Sequence, residues 1–280
     1  MLAFIELLKA ALFGIVEGIT EWLPVSSTGH LILLEEFVKF DGVSDGFWDM
    51  FEVVVQLGAI IAVVILFWDK IFPFCWKRDN GKLTVFKKDK WLLWAKVAVA
   101  CIPAIIVGLT IDDWIDEHFY NPLTVGIALA AVGAAFIVIE AVNKGKTAKT
   151  TSLEDITFAQ AIGIGLFQIL AAIFPGTSRS GSTILGGLTI GMDRLTATEF
   201  TFILGIPVMF GASFLKIVKF GLDFTGLELA ILGVGMIVAF AVSFAVIRFL
   251  MGFVRKHSFR GFGWYRIALG AAVIVYFAVR

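Results

Sequence analysis

The chain has 280 residues, of which 59% are hydrophobic and 16% charged, and its 23 basic and 23 acidic side chains cancel to a formal net charge of zero. Such a composition belongs to an integral membrane protein rather than a soluble domain. Nucleic-acid binding is not needed to explain the local basic runs, because membrane topology accounts for them.

The first segment, Met1 to Gly14, is apolar, but Glu6 and Lys9 interrupt it and no small-residue cleavage site follows, so it reads as retained structure. It leads into Glu17-Gly18-Ile19-Thr20-Glu21-Trp22-Leu23-Pro24-Val25-Ser26-Ser27-Thr28-Gly29-His30. Two carboxylates, several hydroxyls and an imidazole here sit in sequence otherwise hydrophobic enough for lipid. Polar groups at such depth are costly, and function is their default explanation. The stretch about 48–68 is the first predicted full span. Between Trp68 and Trp91 come Lys70, Lys77, Arg78, Lys82, Lys87, Lys88 and Lys90. The second span, 91–111, holds only Lys96. The connection 112–121 carries Asp112, Asp113, Asp116 and Glu117 with no Lys or Arg, and the third span, 122–142, holds only Glu140. After Lys144, Lys146 and Lys149, a second polar island, Phe174-Pro175-Gly176-Thr177-Ser178-Arg179-Ser180-Gly181-Ser182, lies within about 154–193. Three further spans are predicted at about 200–218, 227–251 and 264–279, the last two separated by Arg255, Lys256, His257 and Arg260. Each is long enough for a hydrocarbon core about 30 Å thick. Cys75 and Cys101 read as ordinary small apolar residues, since two cysteines so placed suggest neither a disulfide framework nor a metal cluster.

Lys and Arg mark the cytoplasmic loops, so 68–91, 143–153 and 255–260 fall inside and 112–121 outside. With six spans assigned, the stretches 1–41 and about 154–193 each enter and leave on one face. Each is therefore predicted to be a re-entrant pair of short helices, broken at Pro24 and at Pro175-Gly176. Non-helical backbone at that depth is tolerated only where protein or a polar cavity covers it, so the two tips should face each other. An internal repeat agrees. Gly14-Ile15-Val16-Glu17 matches Gly165-Leu166-Phe167-Gln168, Pro24 matches Pro175, and Ser26-Ser27 matches Thr177-Ser178, all at an offset of 151 residues. The expected fold is an all-α polytopic membrane protein with six transmembrane helices and two oppositely inserted re-entrant hairpins. It forms one domain made of an inverted-topology repeat, with units of about 1–142 and 154–280 and the site at their interface.

Glu17 and Glu21 are four apart, so on a helix they share a face. They suit a divalent cation such as Mg²⁺ or Ca²⁺, whose shell substrate phosphates would complete. The competing reading is a polar pair serving folding. Ser26, Ser27, Thr28 and Gly29 run into the next helix, whose first amides are free to meet an anion. A hydroxyl there is a helix cap or a nucleophile, and capping explains only one of the three. His30 could activate Ser27, attack phosphorus itself or protonate a leaving oxygen; it could also be a structural histidine bonded to a backbone carbonyl. Arg179 suits bidentate contact with phosphate oxygens, a use compatible with a buried salt bridge to Glu17 or Glu21. The residues alone thus point to phosphate ester or pyrophosphate cleavage.

The segments Gly14–His30, Phe51–Gly58 and Pro175–Gly181 closely resemble the signatures of the bacterial undecaprenyl-diphosphate phosphatases, also called bacitracin-resistance proteins, and the similarity runs over the whole chain. The resemblance implies hydrolysis of undecaprenyl diphosphate to the monophosphate carrier lipid for peptidoglycan synthesis. It also implies a multi-pass place in the bacterial plasma membrane, with the site opening on the extracytoplasmic side. It carries importance onto Glu17, Glu21, Ser26, Ser27, His30 and Arg179, and it leaves the attacking group, Ser27 or His30, open. Ser27 is preferred for its place at the broken tip. Thr28, Gly29, Thr177, Ser178 and Ser180 join Ser26 as expected substrate contacts. The principal competing class is a transporter or flippase of the carrier lipid, since opposed broken helices also serve alternating access. Glycines at 126, 133, 186, 187, 233 and 235 permit close helix packing and are compatible with a homodimer without specifying one.

Overall fold

A computed structural model describes residues 2–79, 82–119 and 121–279; the side chains at 76–85, 112, 113 and 116, among them several charges used above for sidedness, fall outside the description. The first broken stretch forms α1 (Leu2–Thr20) and α2 (Ser27–Glu35). The first span is α3 (Phe47–Val54) continued by α4 (Gln56–Leu66), followed by the short α5 (Trp68–Ile71). The basic connection holds an antiparallel pair, β1 (Phe74–Asp79) and β2 (Lys82–Phe86). This hairpin departs from the purely helical expectation: the charges there hid a strand pair. Its base is packed by Phe74, Phe86 and Trp91. Next come α6 (Lys88–Thr110), α7 (Asp112–Phe119) in the acidic connection, and α8 (Pro122–Val142). The second half contains α9 (Phe158–Ile173), α10 (Arg179–Thr189), α11 (Arg194–Phe220), α12 (Gly226–Val254) and α13 (Arg260–Val279).

Among the described residues six helices are long and apolar enough to cross a membrane: Phe47–Leu66, Lys88–Thr110, Pro122–Val142, Arg194–Phe220, Gly226–Val254 and Arg260–Val279. They coincide with the six predicted spans within a few residues at most ends, and the chain is a helical multi-pass membrane protein. The largest difference is the start of α11, six residues earlier than expected. Thr198, Glu199 and Thr201 there are buried but partnered, by the Arg194 carbonyl, Lys70 and Thr183 respectively, which offsets the cost of their polarity.

Helices pack crosswise between the halves. α1 lies on α12 and α9 on α6, while α8 pairs with α13. Small residues make these contacts possible. A Cβ added at Gly14 would lie 2.5 Å from the Gly235 carbonyl oxygen, and one added at Gly165 would lie 2.5 Å from that of Ala100. Between α8 and α13 two glycine pairs meet reciprocally. A Cβ at Gly270 would stand 2.5 Å from the Gly126 oxygen, and one at Gly133 would stand 2.6 Å from the Gly263 oxygen. Since apolar helices gain little from mutual hydrophobicity inside lipid, such backbone approach supplies the packing that holds them.

Candidate active site

Both broken stretches end in the same local structure. α1 gives way to turns at 21–25 and α2 restarts at Ser27; α9 ends before Pro175 and α10 restarts at Arg179. Proline after the first helix of each pair cannot continue it. Among the described residues Ser26 and Ser178 are the two non-glycine residues with positive φ, at 75° and 69°, and each is the N-cap of the helix that follows it. The Gly29 amide donates to Ser26 Oγ at 3.4 Å and the Gly181 amide to Ser178 Oγ at 3.1 Å. Backbone held this way costs about 1–3 kcal/mol per residue and is retained where function requires it. The tips therefore correspond with Ser26 on Ser178, one residue further along than the sequence matching placed them. The extra residue sits between Pro175 and the strained serine, where Gly176, at φ 89°, lies so close to α8 that a Cβ would meet the Val125 oxygen at 2.7 Å.

Arg266 joins the tips. It is fully buried in α13, and it donates from Nη1 to the Pro24 carbonyl at 3.2 Å and from Nη2 to those of Gly176 and Thr177 at 2.9 and 2.8 Å. Its Nε reaches the Leu129 carbonyl at 3.3 Å. One guanidinium thus satisfies backbone oxygens that the two helix breaks left open. Sequence reasoning missed it, although an arginine inside an apolar span is the same kind of signal that drew attention to the tips.

Around this clamp the predicted site residues converge. Ser27 Oγ donates to Glu21 Oε2 at 2.8 Å, and Arg179 Nη2 donates to Glu21 Oε1 at 3.0 Å. Ser180 Oγ donates to the Glu21 carbonyl at 2.9 Å, tying the second tip to the end of α1. Arg179 Nη1 rests on the Thr201 carbonyl at 3.1 Å, while its Nε–H is buried with no acceptor. A donor so placed is available to a substrate oxygen. The salt bridge to Glu21 and a phosphate-holding use of Arg179 are thus compatible in this geometry. Ser26, Thr177 and Ser180 are buried, and Thr28 and Ser178 are partly exposed at the mouth.

Of the uses expected for His30, the bond to a backbone carbonyl is the one seen in its contacts. Its Nδ1 lies 2.6 Å from the Ser26 carbonyl, and its Nε2 lies 2.7 Å from the Tyr265 hydroxyl, with the two rings stacked at an interplanar angle of 8°. A carbonyl only accepts, so Nδ1 carries the proton and Nε2 of the neutral ring accepts from Tyr265. The proton acceptor facing Ser27 is Glu21. Tyr265, adjacent to Arg266, was also missed; the one available signal was a phenol in a chain with 28 Phe and only 3 Tyr.

Glu17, one turn before Glu21, is wholly buried and neither of its oxygens finds a hydrogen-bond partner among the described residues. Gln168, which the sequence matching sets against Glu17, is likewise buried and unpartnered among the described residues. A carboxylate left this way is costly until a cation or a proton completes it. Among the described residues no three His, Cys, Asp or Glu side chains are grouped to hold a metal. Both Glu21 oxygens are engaged, so Glu17 offers a cation an open position rather than a closed protein cage.

The starts of α2 and α10 are tied together through Glu21, which meets Ser27, Arg179 and Ser180, and through Arg266. Each helix start carries first-turn amides without intrahelical partners and the positive end of a helix dipole. This is an arrangement for an anion with negative charge on several oxygens. Arg179→Lys keeps the charge but loses the planar fork that spans Glu21, Thr201 and a ligand. It should lower turnover on phosphorylated substrate about tenfold or more while the protein stays folded in detergent. Unchanged turnover at saturating substrate would show that Arg179 serves packing alone.

Residues 10–272 match the model of the family described as Bacitracin resistance protein BacA. The chain is 54% identical over 278 residues to an undecaprenyl-diphosphatase of Enterococcus faecalis, covering 99% of each chain. It is 54% identical over 279 residues to the undecaprenyl-diphosphatase of Desulfitobacterium hafniense, covering 100% of this chain and 99% of that one. With the enzyme of Enterococcus faecalis strain V583 it shares 56% identity over 276 residues, 98% of each.

Proposed function

The chain belongs to the bacitracin resistance protein family and is an undecaprenyl-diphosphatase, and we propose that it performs that hydrolysis with Ser27 as nucleophile and Glu21 as its base. The reaction returns undecaprenyl phosphate, the recycled carrier lipid. The observation that carries the assignment is the hydrogen bond from Ser27 Oγ to Glu21 Oε2 at a strained helix break, beside the unsatisfied Nε–H of Arg179.

In this reading Arg179 and the first amides of α2 and α10 hold the terminal phosphoryl group. Ser27 Oγ bonds to that phosphorus, the bridging P–O bond breaks, and the Ser27 proton passes through Glu21 to the departing monophosphate. Water's oxygen then bonds to the phosphorus as the Ser27 Oγ–P bond breaks, one water proton goes to the Ser27 oxygen, and hydrogen phosphate leaves with the other. Preorganised donors aimed at charge on the transferring group supply most of the acceleration. A divalent cation, Mg²⁺ or Ca²⁺, would be held by Glu17 together with substrate oxygens, and when bound it would neutralise phosphate charge. A second reading has His30 as the attacking group: with Nδ1–H fixed on a carbonyl its Nε2 carries the lone pair, which would have to leave the Tyr265 hydroxyl before it reached phosphorus. Release of phosphate from undecaprenyl diphosphate by the purified chain, with and without chelator, tests the activity and the cation together. Activity that chelator leaves unaltered would remove the cation from the scheme.

The crosswise packing and the matching tips support an inverted-topology repeat of two re-entrant hairpins. The charge pattern supports a plasma-membrane protein whose site opens on the extracytoplasmic side. Glu117 and Lys146 are both exposed, one in α7 and one between α8 and α9. A cysteine replacing Glu117 should react with an impermeant thiol reagent added to intact cells, and one replacing Lys146 should not. The reverse labelling would invert the topology.

A further inference from the structure

A groove of about 890 Å³ runs between α6 and α11, lined on one side by Cys101, Ile105 and Gly108 and on the other by Val208, Gly211 and Phe214. Its size is at the upper end of the roughly 300–1,000 Å³ usual for ligand pockets. Two features distinguish it from the ordinary seams of a helical bundle. Both wall helices carry an internal proline, Pro103 in α6 and Pro207 in α11, each of which removes a rung of helical hydrogen bonding near the groove's deep end. Both also present a glycine to the groove where a bundle would pack a side chain: a Cβ added at Gly108 or at Gly211 meets nothing within 4 Å.

The deep end adjoins the active site. Pro207 and Val208 line the groove, and the next residue, Met209, receives Arg179 Nη2 on its sulfur at 3.5 Å. Gly205, one turn before Met209, lies against the same guanidinium, 2.9 Å from where its Cβ would stand. At the other end the groove is bordered by Lys216 and Lys219, two cations near the end of a spanning helix. Its walls between are almost wholly apolar, and Ile105 and Phe214 are more than half exposed to the surrounding lipid.

We infer that the α6/α11 groove receives the polyprenyl tail of the substrate and makes the enzyme sensitive to its length. This rests on the diphosphatase reading above. An ordinary phospholipid acyl chain would fit the apolar walls. What favours the substrate over bulk phospholipid is the junction with Arg179, which would hold the diphosphate head while the tail leaves the tips sideways along the apolar walls. The walls read length through area buried, since each further isoprene unit laid in the groove removes more apolar surface from solvent or detergent.

The test uses the full chain in detergent with farnesyl (C15) and undecaprenyl (C55) diphosphates, reading kcat/KM for each. Gly108→Leu and Gly211→Leu place a side chain in open space and favour helix, so neither threatens the fold. Each should lower the C55 to C15 ratio of kcat/KM on the order of fivefold or more, because the longer tail loses the groove while the head site is untouched. Gly233→Leu, on α12 and also without neighbours around its Cβ, is outside the groove and should leave the ratio where it was. An active wild type whose ratio is unmoved by both groove variants would overturn the inference and assign the groove to bulk lipid. An equal fall in Gly233→Leu would overturn it as well. A wild type that releases phosphate from neither substrate would instead sink the diphosphatase reading and this inference with it.

Discussion

Ser27→Ala is expected to lower phosphate release from undecaprenyl diphosphate by about three orders of magnitude, the scale on which loss of a covalent nucleophile shows in turnover. The hydroxyl makes one hydrogen bond, to Glu21, and Ser27 is almost wholly buried at the start of α2. Removing one oxygen there leaves Ser26 to cap the helix and Arg266 to hold the tip, so the loss should appear in turnover and not in folding. Ser26→Ala should be milder in turnover because its oxygen serves the Gly29 amide. Rapid quench of the wild type with substrate labelled in the terminal phosphate should leave label on residue 27. Label on His30, or robust turnover by Ser27→Ala, would move the attack to the imidazole or to water.

The second large effect is structural. Arg266→Met should remove the guanidinium donors from the tip carbonyls of Pro24, Gly176 and Thr177 in one step, while the Leu129 carbonyl keeps its helical bond. Each buried acceptor left unpaired costs about 1–3 kcal/mol, more than the apolar side chain returns. A fall in Tm on the order of 10 °C in detergent is expected, together with near-complete loss of turnover as the two tips part. Arg266→Lys keeps the charge but cannot reach four carbonyls, so it should recover Tm only in part. Wild-type Tm and turnover in Arg266→Met would show that the tips hold together without it.

The spans were legible because lipid imposes a length of about twenty apolar residues and the cytoplasm marks its loops with Lys and Arg. The tips were legible for the complementary reason, since Glu17, Glu21, Ser27 and Arg179 have no cheap place in hydrocarbon. What escaped was of two kinds. The β1/β2 hairpin escaped because its charges already had an explanation in sidedness. The partners of His30 escaped because Tyr265 lies 235 residues away and only packing of α13 against α2 and α8 brings them together. Glu21 as the partner of Ser27 escaped as well: the sequence pattern assigned Ser27 to His30 and Glu21 to a cation, and it is the turns at 21–25 that bring the Glu21 carboxylate to the hydroxyl.

The crosswise packing of α1 on α12 and α9 on α6 has a consequence for how the chain is made. When the ribosome has delivered only the first half, α1 and α6 both lack the helix each packs against most, and the faces at Gly14 of α1 and Ala100 of α6 are left without them. Neither half can mature ahead of the other, so the nascent chain must be kept in a provisional, loosely held arrangement until α9 and α12 emerge. Polar Glu17 is exposed to the same wait. Assembly is then a late, all-or-none event, and a truncated chain ending after α8 has no partially active form to settle into.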